Sequence, residues 1–264
     1  MPGSPLDDRP AETAPAVGSD LGFYGKIPAS GDFVRRGLPA EFVQPWDDWL
    51  AAAVHRSQEE LGAAWLDCYL TSPIWRFAMA ASVCGSRAAV GVLTPSVDAV
   101  NRHFPVVIAA LLPDTSSPLR VLEAGDGWYE AVEHLALAAL DPGCDATKFG
   151  GDLLVVGPPP LVPSSCALDD RGLSKSADAA MWGLRIAPGL SAARGADLVV
   201  ALLDTLSGML FAGWSLWWTS GSDHVEPVLR IHRGLPPAED YTAMLRDRHV
   251  DAVAELFDTG RPSR

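Results

Sequence analysis

The run Phe104–Leu112 constrains the fold of this chain more than any other stretch of its sequence. It reads FPVVIAALL and contains no charged or hydrogen-bonding side chain. A strand with one face in water alternates apolar and polar residues, whereas a strand covered on both faces is apolar throughout. We therefore expect Phe104–Leu112 to be a central strand of a sheet that carries further layers on both faces.

Patterns elsewhere predict that this sheet is built mainly from hairpins. Residues 75–79 (WRFAM) alternate with a period of two, and Gly85-Ser86 is a turn signal between them and the next apolar segment. The predicted strands, in chain order, are 21–27, 75–79, 88–93, 104–112, 212–219 and 228–232. Strands grouped in this way, without regular helical crossovers, favour an α/β fold: a three-layer α/β/α sandwich with a mixed, largely antiparallel sheet.

Apolar residues spaced three and four apart predict the helices. A helical region begins at Pro39, and Gly62 ends or kinks it. Pro45 predicts that the regular helix starts only near that residue, because proline is tolerated in a first turn. A second helix is predicted around 128–139, and a last one is predicted to start at Leu235-Pro236.

The domain organisation follows from composition. Residues 1–20 are rich in proline, alanine and acidic residues and lack the basic and apolar regions of a secretory signal, so we expect a disordered leader. Residues 21–258 are expected to form a single domain, followed by a tail over 259–264. Within the domain, 157–180 contains GPPPLVPSS and is expected to be a surface loop or an insertion.

Charge and hydropathy argue against several classes of function. The chain has 20 basic and 33 acidic residues, a formal net charge of −13, which disfavours binding to nucleic acid. The apolar stretch 198–218 approaches the length of a membrane span, but Asp204 lies near its middle. We interpret it as an amphipathic helix to about residue 206 followed by a buried strand, and expect no membrane insertion. The histidines and cysteines show no metal-ligand spacing, so neither a metal nor a cofactor is expected.

The loop GKIPASGDF, Gly25–Phe33, has the composition of a phosphate-binding loop but not its order. A P-loop places lysine directly after its second glycine and begins a helix there, whereas Lys26 precedes Gly31. We therefore predict a tight turn. In it, Gly31 would supply a backbone angle that other residues resist, and Asp32 would accept hydrogen bonds from nearby amides.

A second polar loop, TPSVDAVNRHFP at Thr94–Pro105, allows three interpretations. It could be a hydrolase site with Ser96 as nucleophile beside His103 and Asp98, although the G-x-S-x-G elbow is missing. It could be a structured loop in which Asp98 pairs with Arg102 and Ser96 caps a short turn. Arg102 could also reach Asp32 and so tie the two loops together.

Several of these segments together resemble the TagF family, also called ImpM, of type VI secretion-associated proteins. The resemblance begins with GFYGKIPASGDFVRRGLPAEFVQPWDDWL and extends from about residue 21 to 246. It continues through SPIWRFAMAASVCG, GVLTPSVDAVNRHFPVVIAALLP, SLWWTSG and GLPPAEDYTAML. Two features depart from the family pattern: Asn101 stands where a glycine is expected, and 157–180 matches no motif.

The resemblance implies a cytoplasmic, non-enzymatic accessory protein of the bacterial type VI secretion system. It also implies that the protein acts as a posttranslational repressor by binding a forkhead-associated scaffold component. An α/β/α sandwich is implied as well. We expect the two loops to form a polar patch that either binds the partner or braces the fold. Its members are Lys26, Gly31, Asp32, Phe33, Ser96, Asp98 and Arg102.

Overall fold

The structure is a computed structural model that describes residues 20–113, 118–161, 174–175, 182–183 and 211–247. The strands are β1 Leu21–Gly25, β2 Val34–Arg36, β3 Trp75–Met79, β4 Ala89–Thr94, β5 Val106–Leu111, β6 Ser174–Lys175, β7 Trp182–Gly183, β8 Trp214–Thr219 and β9 Val228–Arg233. The α-helices are α1 Ala40–Leu61, α2 Trp65–Leu70, α3 Pro118–Ala124, α4 Asp126–Ala138, α5 Ala146–Val156 and α6 Asp240–Leu245, and a 3₁₀ turn at Gly62–Ala64 joins α1 to α2.

Seven of the strands form one sheet in the order β2-β1-β5-β4-β3-β8-β9. Every pairing between neighbours in this sheet is antiparallel, which confirms the largely antiparallel prediction. The apolar run predicted as the central strand is β5, which lies between β1 and β4 with all six residues buried. The remaining two strands, β6 and β7, form a separate short antiparallel pair.

Helices cover both faces of the large sheet, as the apolar β5 predicts. On one face, α1, α2 and α6 pack against an aromatic cluster in which Trp46 lies 5.0 Å from Phe77 and 5.7 Å from Trp217, measured between ring centroids. On the other face, α3, α4 and α5 pack against smaller side chains such as Val92 and Ile108. The fold is therefore an α/β sandwich whose sheet separates two hydrophobic cores.

Two helix boundaries differ from the prediction. Helix α1 begins at Ala40, so Pro45 lies inside the helix rather than at its start. Proline removes one backbone hydrogen bond, but Phe42 and Val43 are buried in the first turn and stabilise the helix through packing. Helix α6 begins at Asp240 instead of at 235–236, because a residue that precedes a proline, as Pro236 does, is pushed towards extended conformations.

Several predictions fall wholly or largely outside the described residues: the leader over 1–20, the helix over 198–206, most of the segment 157–180, and the tail. No helix in the described ranges is long and apolar enough to cross a membrane.

In β8, Trp217 is fully buried in the aromatic core, and its neighbour Trp218 packs against the core on the opposite face. Consecutive tryptophans of this strand therefore contribute to both cores.

Candidate functional site

Sheet topology brings the two polar loops together. Residues 26–33 follow β1, and residues 95–105 connect β4 to β5. Because β1 and β5 are antiparallel neighbours, with Tyr24 opposite Val107, the end of β1 lies beside the start of β5. The backbone N–H of Ala99 donates to the carbonyl of Ser30 at 3.0 Å and joins the loops directly.

The Asp98 carboxylate is the centre of this site. Its side chain is completely buried, and Lys26 Nζ lies 3.1 Å from its Oδ2. The same oxygen accepts a hydrogen bond from Arg102 Nε at 2.6 Å, while Oδ1 accepts from the backbone N–H groups of Val100 at 3.0 Å and Arg102 at 2.8 Å. Burial raises the pKa of Asp98, but these hydrogen bonds and cations outweigh it and hold the pKa well below its usual range.

Arg102 ties the two loops together, but through a different acceptor from the one predicted. Its Nε pairs with Asp98, as expected, and its Nη2 donates to the carbonyl of Gly31 rather than to Asp32. The Asp32 carboxylate instead accepts from the N–H of Phe33 at 2.8 Å, which confirms its predicted contact with a nearby amide. A backbone carbonyl was not foreseeable as the acceptor, because every residue carries one.

The prediction that Gly31 supplies an unusual backbone angle is wrong. Gly31 does not adopt a positive φ, and a Cβ built on it would meet no atom within 4 Å. The turn instead spans residues 27–30, with Pro28 and Ala29 at its centre, and is closed by the N–H of Ser30, which donates to the carbonyl of Ile27 at 3.0 Å. Asn101, in the other loop, does have a positive φ of 61°. Asparagine tolerates this left-handed region better than most residues, so it can stand where the family pattern has glycine.

Phe33 forms the aromatic part of the site and remains partly exposed. Its ring stacks on Tyr24 at 5.7 Å, meets the edge of Phe104 at 4.8 Å, and has Lys26 Nζ at 5.0 Å from its centroid. Despite these neighbours, 42% of Phe33 is exposed. The hydroxyl of Tyr24 donates to Asp47 of α1, and burial together with this bond raises the pKa of Tyr24.

Ser96 and His103 do not form the pair that a hydrolase would require. The Ser96 hydroxyl is buried and has no hydrogen-bond partner among the described residues, so it does not cap the turn either. The His103 ring meets the edges of Trp65 at 5.3 Å and Tyr69 at 5.6 Å, and burial is the main reason that its pKa is lowered. Asp98, the third member of the proposed triad, is occupied by Lys26 and Arg102.

Tyr69 is a member of the site that the sequence did not indicate. Its hydroxyl donates to the carbonyl of Ser96 at 2.8 Å and accepts from the N–H of Ser96 at 3.1 Å. These two bonds fasten the second loop to α2. No local spacing connects a helical tyrosine to a loop that comes two strands later, and only the packing of α2 against the sheet creates the contact.

In the described ranges no group of three or more histidine, cysteine or acidic side chains could hold a metal ion.

Comparisons with known proteins give the family of this chain. Residues 22–155, which include both loops, match the TagF N-terminal domain, described as type VI secretion system-associated. The crystal structure of PA0076 from Pseudomonas aeruginosa PAO1, at 2.05 Å resolution, superimposes with a TM-score of 0.71. The two sequences are 38% identical, over 86% of this chain and 94% of that one. No curated protein matches the chain. The chain therefore belongs to the TagF family of type VI secretion system-associated proteins.

Proposed function

We propose that this protein is a non-enzymatic regulator of the type VI secretion system. It acts in the cytoplasm as a posttranslational repressor by binding a forkhead-associated scaffold component of the apparatus. The observation that carries this proposal is membership of the secretion-associated family over a region that contains both polar loops. The partner and the repressor role come from the family resemblance.

The chemistry of the loops supports a binding role over a catalytic one. The Asp98 carboxylate is bound by both Lys26 and Arg102, so it is not available as a catalytic base, and the cluster keeps one positive charge. A nucleophilic serine needs a base within hydrogen-bond reach, and Ser96 has none among the described residues. In contrast, Phe33, Val100 and the guanidinium of Arg102 reach the surface, where a protein partner could contact them.

Calorimetric titration of the purified protein with the forkhead-associated scaffold protein tests the binding step. We expect a saturable complex, and we expect deletion of the gene to raise effector secretion and its re-expression to lower it. Absence of a complex together with unchanged secretion would contradict the proposal.

A screen with esterase and phosphatase substrates tests the non-enzymatic part. We expect no turnover by the wild-type protein. Turnover that Ser96→Ala abolishes would show that the chain is a hydrolase that uses Ser96, and turnover that persists in Ser96→Ala and co-elutes with the protein would also contradict the non-enzymatic part.

A further inference from the structure

The polar patch divides into a buried part and an exposed part. Lys26, Ser96 and Asp98 are at most 6% exposed, so a partner cannot touch them without unfolding the loops. Val100 is 64% exposed, Phe33 is 42% exposed, and the side chain of Arg102 is 54% exposed. The buried residues hold the loops in place, and the exposed residues form the two loop tips, which we define as Gly31–Phe33 and Val100–Arg102.

Arg102 on these tips is exposed and yet fixed in position. Asp98 orients its Nε and the Gly31 carbonyl orients its Nη2, so the guanidinium is held by both loops. A guanidinium carries five N–H donors, and Nη1 makes no hydrogen bond to any of the described residues. An arginine ordered before binding loses less conformational entropy when it meets a ligand, and its planar geometry suits a carboxylate.

Gly31 leaves open space next to this arginine. Its φ is not positive and a Cβ there meets nothing within 4 Å, so the described fold does not require glycine at this position. Open space beside an ordered cation allows the backbone of a partner to approach closely. It also means that a Cβ can be added at Gly31 without a clash inside the protein.

We propose that the two loop tips bind a partner segment that presents a carboxylate to Arg102 and an aliphatic side chain to Phe33 and Val100. This inference rests on the proposed function, because the partner it concerns is the scaffold component. The choice of a carboxylate rests on the charge of the Arg102 guanidinium, which is half exposed and keeps N–H donors directed away from Asp98 and Gly31. Exposed aromatic and arginine side chains are also the types that dominate binding energy in protein interfaces.

The test uses variants of opposite charge at one exposed position. Val100→Asp and Val100→Lys both remove the aliphatic side chain, but the first places a carboxylate, and the second an ammonium, beside the proposed ligand. We expect Val100→Asp to weaken scaffold binding by about tenfold or more and Val100→Lys to weaken it clearly less. The difference between the two should grow at low salt, because screening is then weaker. Gly31→Val should also weaken binding by about tenfold, through steric exclusion alone.

Matched controls come from α5, on the other face of the sheet. Val155 is 87% exposed, so Val155→Asp and Val155→Lys introduce the same charges away from the loops and should bind like the wild type. Thermal unfolding of each variant shows whether it folds. If Val100→Asp is unstable, Gly31→Val still tests the surface.

The outcomes separate this inference from the proposed function. If the wild-type protein binds and represses while Val100→Asp and Gly31→Val do so equally well, the loop tips are not the interface and only this inference fails. If Val100→Lys binds more weakly than Val100→Asp, the partner group is not a carboxylate. If light scattering shows a dimer that Val100→Asp dissociates, the surface binds a second copy of this chain. If the wild type neither binds nor represses, the proposed function itself fails, and this inference with it.

Discussion

Two ion-pair clusters in this molecule use the same kinds of side chain for different purposes. In the loops, the fully buried Asp98 receives both Lys26 and Arg102 and joins two irregular segments. On the opposite face of the sheet, Arg76 of β3 makes a bidentate contact with Glu133 of α4, Nε to Oε1 at 2.7 Å and Nη2 to Oε2 at 2.8 Å.

The difference lies in what else holds the connected elements. Strand β3 and helix α4 are already fixed by their own backbone hydrogen bonds and by the core between them, so the Arg76–Glu133 contact adds to an existing arrangement. The two loops are not strands paired along their length: Lys26 pairs with Asp98, Arg102 donates to the Gly31 carbonyl, and one backbone hydrogen bond runs from Ala99 to Ser30. The buried Asp98 cluster therefore sets the conformation of the loops. The half-buried Arg76–Glu133 salt bridge only adds to the stability of a strand and a helix that are already held in place.

The largest effect should come from Lys26→Met, which removes one of the two cationic partners of the buried Asp98 carboxylate and leaves only Arg102. Loss of a charged hydrogen-bond partner of a buried carboxylate should cost about 2 kcal/mol in the free energy of unfolding. Urea denaturation measures this loss. Lys148→Met serves as control, since Lys148 pairs with Asp152 on an exposed stretch of α5 and its loss should not be measurable. Equal stability of Lys26→Met and wild type would show that the loop cluster does not brace the fold.

Protonation of Asp98 should contribute to the loss of folding stability at acid pH. Its pKa in the folded protein lies below its ordinary value of 3.8, so its contribution to stability is present above that value. The contribution is lost as the pH falls below 3.8 towards the folded pKa, where the carboxylate becomes protonated. We expect the free energy of unfolding to fall less steeply with acid in Asp98→Asn than in the wild type, measured by denaturation between about pH 5 and 2. Identical slopes would contradict the assigned environment.

A smaller effect is expected from Arg76→Met. The bridge to Glu133 is bidentate but partly in water, and its side chains are 16% and 24% exposed. After allowance for solvent screening, we expect a loss of about 1 kcal/mol in the free energy of unfolding. Scaffold binding should not change, because the bridge lies on the other face of the sheet. If Arg76→Met lowers the free energy of unfolding as much as Lys26→Met does, the two ion-pair clusters do not differ in how much they stabilise the fold.

The smallest effect is expected from Ser96→Ala. Its hydroxyl lies in the same loop as Asp98 but has no hydrogen-bond partner among the described residues. Removing an unsatisfied buried hydroxyl should leave stability unchanged or raise it by up to about 1 kcal/mol. Ser96→Val, which adds volume at the same buried position, is the contrasting variant and should destabilise the protein. A clear loss of stability in Ser96→Ala would mean that the hydroxyl has a partner.

The exact partners in the candidate site were predictable from the sequence only where the contacts are local, and the longer tie from Arg102 to the first loop was predicted with the wrong acceptor. The pair Asp98–Arg102 spans four residues, and the contact of Asp32 with the N–H of Phe33 spans one, so loop composition was enough to predict both. Lys26 was predicted as a member of the patch, but its pairing with Asp98 was not, and Tyr69 was not predicted at all, because both are distant in sequence from the loop they contact. The open space around Gly31 could not be predicted either, because it depends on how the rest of the chain packs around the loop.

The sequence by itself determined the longer strands of the sheet, helices α1 and α4, and many of the residues that face the cores, whereas β2, α2, α3 and α5 were not predicted. Periodicity and the apolar run at β5 reflect local geometry and burial, which any fold of this chain must satisfy. Tertiary structure decided which polar groups meet. The order β1-β5-β4 sets the two loops side by side, and only then can Lys26 and Arg102 reach the same carboxylate. Such contacts depend on which strands become neighbours, and the free energy that selects those neighbours comes from the packing of the whole molecule.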